Sequence, residues 1–268
     1  MLNRAIKLKP EKASNDESSL SSEMISQFFS MDASMFSKSS EIWHKRRWKS
    51  IGRSESFDMK YSMNGKKCLE ESVYKNSDDL IIGLNRFTSQ PPDEVIWREI
   101  YGNCYRFDTT AVSHIADSLQ AIGRSKGMSR LELANLMVTF AQDFPYYYIL
   151  DDETCGENGA TGPCVNNARF GLLSPKEVAF AAFGDCDSKA LFLFSMLKHL
   201  GFKPLIVISR EYQHAMLAVN LPATGSHLTY KGERFYFWEV TTPNWPIGLL
   251  PPDCSNINYW KIALSYEY

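Results

Sequence analysis

The chain has 268 residues, 44% hydrophobic and 22% charged, a balance that suits a soluble globular protein able to close a core without a metal or a dense set of disulfides. A formal charge of −2 excludes a general electrostatic pull toward nucleic acid or anionic membrane, and no run of about 20 apolar residues offers a transmembrane segment. Residues 1–30 hold no apolar stretch ahead of a small-residue cleavage site, so no signal peptide is expected; this leans toward a cytoplasmic location and leaves an extracytoplasmic one open if a leader was removed.

Residues 14–40 carry eleven serines, the composition of a flexible lead-in. Within it Leu20, Met24, Ile25, Phe28, Met31 and Met35 recur at three- and four-residue steps. That spacing predicts an amphipathic helix over about 20–36, docked on the main body or serving as a removable pro-segment or partner-binding helix. From Ile42 to about Met63, aromatic residues punctuate polar ones as strands would, and Asn64-Gly65 signals a hairpin turn. The basic run His44-Lys45-Arg46-Arg47, between Trp43 and Trp48, reads as a solvated face or strand edge. Residues 76–93 are turn-rich and contain Pro91-Pro92. Asp108 or Thr109 is then expected to cap a helix to about Ser125, with Val112, Ile115, Ala116, Leu119 and Ile122 on one face. A second helix opens with the capping box Ser129-Arg130-Leu131-Glu132 and runs to Asp143.

A Gly-rich loop spans about 151–167, and its Asp151-Asp152-Glu153 lacks the alternating ligand spacing of a calcium loop. Cys155 and Cys164 flank it, as a local disulfide or as two thiols. None of the six cysteines forms a C-x-x-C pair, so neither a metal site nor any other cofactor is expected.

Chemistry concentrates in Phe183-Gly184-Asp185-Cys186-Asp187-Ser188-Lys189-Ala190. A Gly turn there precedes a helix with Leu191, Phe194, Leu197 and Leu200 inward, stopped by Gly201. Cys186 falls in its first turn, where free N–H groups and the helix dipole favour a thiolate; a small buried cysteine packed like alanine is the other reading. Pro204–Ile208, His214–Val219 and Phe235–Val240 follow as strand-like runs. Adjacent antiparallel strands would set His214 beside Glu239, and a buried carboxylate needs such a partner. Nucleophile, base and orienting acid then stand in that order. His44, His114, His199 and His227 read as surface or capping residues.

Gly184-Asp185-Cys186-Asp187-Ser188-Lys189-Ala190, His214-Ala215-Met216 and Trp238-Glu239-Val240-Thr241-Thr242 together resemble the transglutaminase-like superfamily, bacterial or archaeal type. Phe140–Tyr146 and Pro243–Gly248 share the likeness, which covers about residues 105–252. Many members carry an acid two places after the cysteine, where this chain has Ser188, and Glu239 stands for the commoner Asp.

The resemblance implies an α+β, papain-like core with the catalytic Cys at a helix N-terminus on an antiparallel sheet. With the residue patterns of the first hundred positions, where no likeness is seen, the expected organisation is a Ser-rich tether with docking helix over 1–41, a β-rich extension over 42–104 and a catalytic domain over 105–268. Cys186, His214 and Glu239 would cleave a peptide, protein or amide substrate through a thioester, as a cysteine protease or amidase. The backbone N–H of Cys186 and Gln142 would meet the oxyanion, with Asp185, Trp238 and Trp245 beside them to bind or wall the substrate. The alternatives are a cross-linking transglutaminase and a binding or assembly module whose chemistry has lapsed.

Overall fold

A short apolar helix face meets aromatic partners far along the chain. In the computed structural model, which describes residues 17–18, 20–29, 41–77, 91–151, 155 and 162–268, strand β1 (Glu17–Ser18) is followed by helix α1 (Ser22–Phe29). Phe28 and Phe29 are buried; the Phe28 ring stacks on Phe180 at 4.5 Å, and Phe29 lies 6.2 Å from Phe183. The remaining expected face residues, Met31 and Met35, lie outside the described residues, as does most of the Gly-rich loop.

Strands β2 (Glu41–Lys49) and β3 (Ser56–Asn64) pair antiparallel, and β1 adds to the free edge of β2. Their reversal falls between Lys49 and Ser56, so the Asn64-Gly65 signal is corrected: Asn64 caps helix α2 (Gly65–Lys75), accepting the Lys67 N–H at 3.0 Å. The same side chain that favours a tight turn also satisfies an orphan helix donor. Period-two alternation turns Ile42, His44, Arg46 and Trp48 inward, so half of the basic run is buried rather than solvated.

Helix α3 (Asp93–Phe107) occupies the end of the segment expected to be β-rich. The next helix begins later than expected, at Ser113, because Asp108 accepts from the Thr110 N–H and closes a turn. Helices α4 (Ser113–Ser125) and α5 (Arg130–Gln142) follow; α5 carries the expected capping box, with Ser129 and Glu132 satisfying each other's backbone donors. Strands β4 (Tyr148–Ile149) and β5 (Cys164–Val165) pair in parallel, and a disulfide joins Cys155 to Cys164. Helix α6 (Pro175–Ala181) starts with a second capping box, Ser174 and Glu177, and ends at left-handed Ala182.

Helix α7 (Cys186–His199) is buried from Cys186 through Leu197, with Asp185 as its cap and Gly201 in the left-handed conformation beyond its end. It lies on an antiparallel five-stranded sheet ordered β10-β6-β7-β9-β8. These strands are β6 (Pro204–Ser209), β7 (His214–Val219), β8 (His227–Tyr230), β9 (Glu233–Trp238) and β10 (Lys261–Ser265). Both central strands, β6 and β7, are buried throughout, as their unbroken apolar runs require. One sheet face joins the helices through Ile206, Leu217 and Trp238. The other builds a second core from Val207, Met216, Phe237 and Trp260. The architecture is α+β.

Buried charge ties α2 to α6. Lys75 Nζ lies 2.7 Å from Glu177 Oε2, and Lys176 Nζ reaches Glu71 at 3.2 Å and Asp108 at 2.7 Å.

Candidate active site

The loop before α7 is held from several sides, and that fixes where Cys186 begins the helix. Gly184 donates its N–H to the Pro145 carbonyl at 3.3 Å, and Lys189 Nζ donates to the Phe144 carbonyl at 2.5 Å. Ser188 Oγ accepts the Leu173 N–H at 2.9 Å. Upstream, the β2–β3 hairpin grips the end of α6: Tyr61 Oη donates to the Ala179 carbonyl at 3.0 Å, and His44 Nε2 to that of Phe180 at 2.9 Å. His44 is therefore buried and structural, not the surface residue expected.

Antiparallel register pairs Leu217 of β7 with Trp238 of β9, which brings the start of β7 to the end of β9. His214 opens β7, and its Nε2 lies 2.6 Å from Glu239 Oε2. The other Glu239 oxygen accepts the Thr241 N–H at 2.6 Å and the Thr241 hydroxyl. Cys186 Sγ lies within reach of the Ala215 N–H, the residue after His214, so helix start and strand start converge. The thiol donates to Asp187 Oδ2 at 3.5 Å, while Asp187 Oδ1 accepts from the Tyr101 hydroxyl.

Burial opposes charge on every group here, and the neighbours decide which charges survive. For Cys186, burial and then the carboxylates of Asp187 and Asp185 push the thiol well up, against the Ala215 N–H. This reverses the expectation from the helix start: the dipole is outweighed by desolvation and two like charges. Burial lowers His214, yet the charge and hydrogen bond of Glu239 outweigh it and hold the imidazole above its usual 6.5. Burial likewise raises Glu239, and His214 with Thr241 brings it below 4.5. Asp187 is carried up to about 6 by burial, opposed by Tyr101.

Gln142 is placed at the site but presents no donor: its Nε2 donates to the carbonyls of Glu239 at 2.7 Å and Trp245 at 3.0 Å. It positions the acid's backbone, so the oxyanion role expected of it is withdrawn. Asp185 caps α7 by accepting the Ser188 N–H at 3.0 Å. Trp238 is core, with Nε1 on the Trp245 carbonyl at 3.0 Å; Trp245 itself stays half-buried. Four buried polar atoms here make no hydrogen bond: Gln142 Oε1, Tyr146 Oη, Asp185 Oδ2 and His214 Nδ1. Each such orphan costs about 1–3 kcal/mol, so their gathering in one place calls for a functional reason.

Tyr101, Tyr146 and Thr241 were not singled out from the sequence as site residues. Thr241 was legible as the residue two after Glu239, a spacing that lets a hydroxyl and an N–H turn back on a carboxylate. Tyr146 closes the run Phe140–Tyr146 that shares the family likeness, whereas Tyr101 carried no local signal.

Among the described residues no group of three or more His, Cys, Asp and Glu is placed to hold a metal ion, and no helix is long and apolar enough to cross a membrane. Comparisons with protein-family models, with curated proteins and with solved structures give no match.

Proposed function

We propose that the chain is a cysteine-nucleophile acyl-transfer enzyme of the transglutaminase-like, papain-like kind, hydrolysing a peptide or amide bond with Cys186, His214 and Glu239. The observation that carries this reading is the state of His214: Nε2 is fixed on Glu239 at 2.6 Å, while Nδ1 is buried without a partner. An imidazole so oriented keeps its second nitrogen for a proton in transit.

Because the resting sulfur is a thiol, His214 acts as a general base at the moment of attack instead of standing in a preformed thiolate–imidazolium pair. Nδ1 takes the thiol proton as sulfur bonds to the carbonyl carbon. The imidazolium then protonates the leaving amine as the C–N bond breaks, leaving a thioester. Water, losing a proton to His214, cleaves the thioester and restores the thiol. Glu239 stabilises the imidazolium at both steps. The developing oxyanion is met by the Tyr146 hydroxyl, which is buried without a partner and takes the place expected of Gln142, beside the first turn of the helix that Cys186 opens.

The complete burial of Cys186 supports a second reading, an assembly module whose chemistry has lapsed. Iodoacetamide labelling resolved by peptide mass separates the two. The enzyme reading expects Cys186 labelling to depend on pH through a group that disappears in His214→Ala. Identical profiles in the wild type and His214→Ala would overturn it in favour of the assembly module.

A further inference from the structure

The hydrogen bond that the Cys186 thiol donates goes to a carboxylate outside the triad. The thiol donates to Asp187 Oδ2 at 3.5 Å, a bond that exists only while sulfur keeps its hydrogen, and His214 Nδ1 is left empty. Asp187 is buried and anchored on its other oxygen by Tyr101, which is itself fully buried. Tyr101 is brought there by α3, which packs on α7 and on β10. Its neighbour Gly102 lets the ring of Tyr268 lie against the helix, where a Cβ would meet that ring at 2.2 Å. Arg106, one turn on, covers the same ring at 4.7 Å. The Tyr101 hydroxyl is therefore held in place by packing on both sides of its helix.

We infer that Asp187, fixed by Tyr101, is a positioning residue that brakes the nucleophile: its carboxylate holds Cys186 as a thiol, and neutralising that carboxylate releases the proton to His214. The inference rests on the reading of Cys186 and His214 as a reacting pair. A carboxylate beside the sulfur disfavours a second negative charge there, strongly so where water is excluded.

The groups facing Asp187 are few. On its own helix they are Asp185 and Cys186, from α3 Tyr101, from the segment before β4 Tyr146, and from β7 His214 with Glu239 behind it. Among the described residues named here His214 is the one that can carry positive charge, and it is committed to Glu239. Burial carries the Asp187 carboxyl up to about 6, above the usual carboxylate range, and these neighbours only partly oppose it. The brake is thus expected to ease when a cationic group of the substrate approaches, whereas near pH 6 His214, held above 6.5, already carries a proton and cannot take another from the thiol.

The test is the pH profile of Cys186 labelling by iodoacetamide in the full-length protein, in wild type, Asp187→Asn, Tyr101→Phe and His214→Ala, with melting temperatures alongside. Asp187→Asn is expected to raise the labelling rate at pH 7.5 by about tenfold or more and move the profile to lower pH. Tyr101→Phe removes a hydrogen bond that favours the carboxylate, so it is expected to raise labelling between pH 6 and 7 while converging on wild type at high pH. A purely structural role would lower melting temperature without these profile shifts. If Asp187→Asn folds and labels no faster than wild type, the inference falls; if it does not fold, an unshifted profile in Tyr101→Phe overturns it equally. His214→Ala keeps the two ideas apart. Loss of its effect sinks the catalytic reading, whereas a normal His214 effect with a silent Asp187→Asn sinks only the brake.

Discussion

The imidazole of His214 and the carboxylate of Glu239 meet at 2.6 Å with both side chains closed off from solvent. The pair has a pH window that follows from its two shifts. His214, raised above 6.5, contributes stability that is full below that value and lost as pH rises through the raised folded value. Glu239, lowered below 4.5, contributes stability present above 4.5 and lost as pH falls through the lowered value. The contribution is greatest between the two unperturbed values. Glu239→Gln is expected to lose activity by about 10²–10⁴-fold, and its stability deficit in urea titrations should be widest near pH 5–6. A deficit that does not change with pH would show that the pair is not ionised.

His44 makes the opposite demand. Burial, partly offset by the Phe180 carbonyl, brings it from 6.5 down to about 4. Its stabilising contribution is therefore full above pH 6.5 and declines as pH falls toward 4, by on the order of 3 kcal/mol. The difference in unfolding free energy between wild type and His44→Gln should shrink over that interval. A constant difference would mean that His44 is already charged in the fold.

Lys75 and Glu177 carry a buried ion pair whose members are each 1% exposed. Lys75→Met leaves a buried carboxylate alone and is expected to cost about 3–5 kcal/mol. Adding Glu177→Gln removes that charge and keeps the capping interaction with Ser174, since a glutamine serves there as well. The double variant should recover at least half of the loss in chemical denaturation; no recovery would place the cost in packing instead of charge.

Helix α1 is part of the main core through Phe28, which is wholly buried against Phe180. Phe28→Ala should destabilise by about 3–5 kcal/mol, a loss seen as a lower melting temperature. A melting temperature equal to wild type would mean that α1 leaves the body readily, as a pro-segment does.

Much of the site's frame was legible because its signals are local. Gly184 and Gly201 bracket α7, and the apolar runs after it fall where strands form, so the meeting of His214 with Glu239 followed from strand order and pairing. What stayed hidden depended on contacts across the chain. Tyr101 reaches Asp187 over a separation of 86 residues, and no periodicity announces such a bond. His44 and Arg46 sit in a run that looks solvated by composition, but a strand sends alternate residues inward whatever their charge. The sign of the Cys186 shift was missed for a different reason: a helix start was visible and the depth of burial was not. Asn64-Gly65 misled because one dipeptide suits both a hairpin and a helix cap.

The order in which the site's parts occur along the chain has a consequence for the newborn protein. Cys186 precedes His214 and Glu239, and the strand β10 that closes the sheet edge comes after all three. Folding during synthesis proceeds from the first segments to leave the ribosome. A growing chain therefore exposes Cys186 as an ordinary thiol, with neither His214 nor Glu239 yet made. The proposed acyl transfer thus waits on completion of the sheet, and on that reading an unfinished molecule has no means to act on its surroundings.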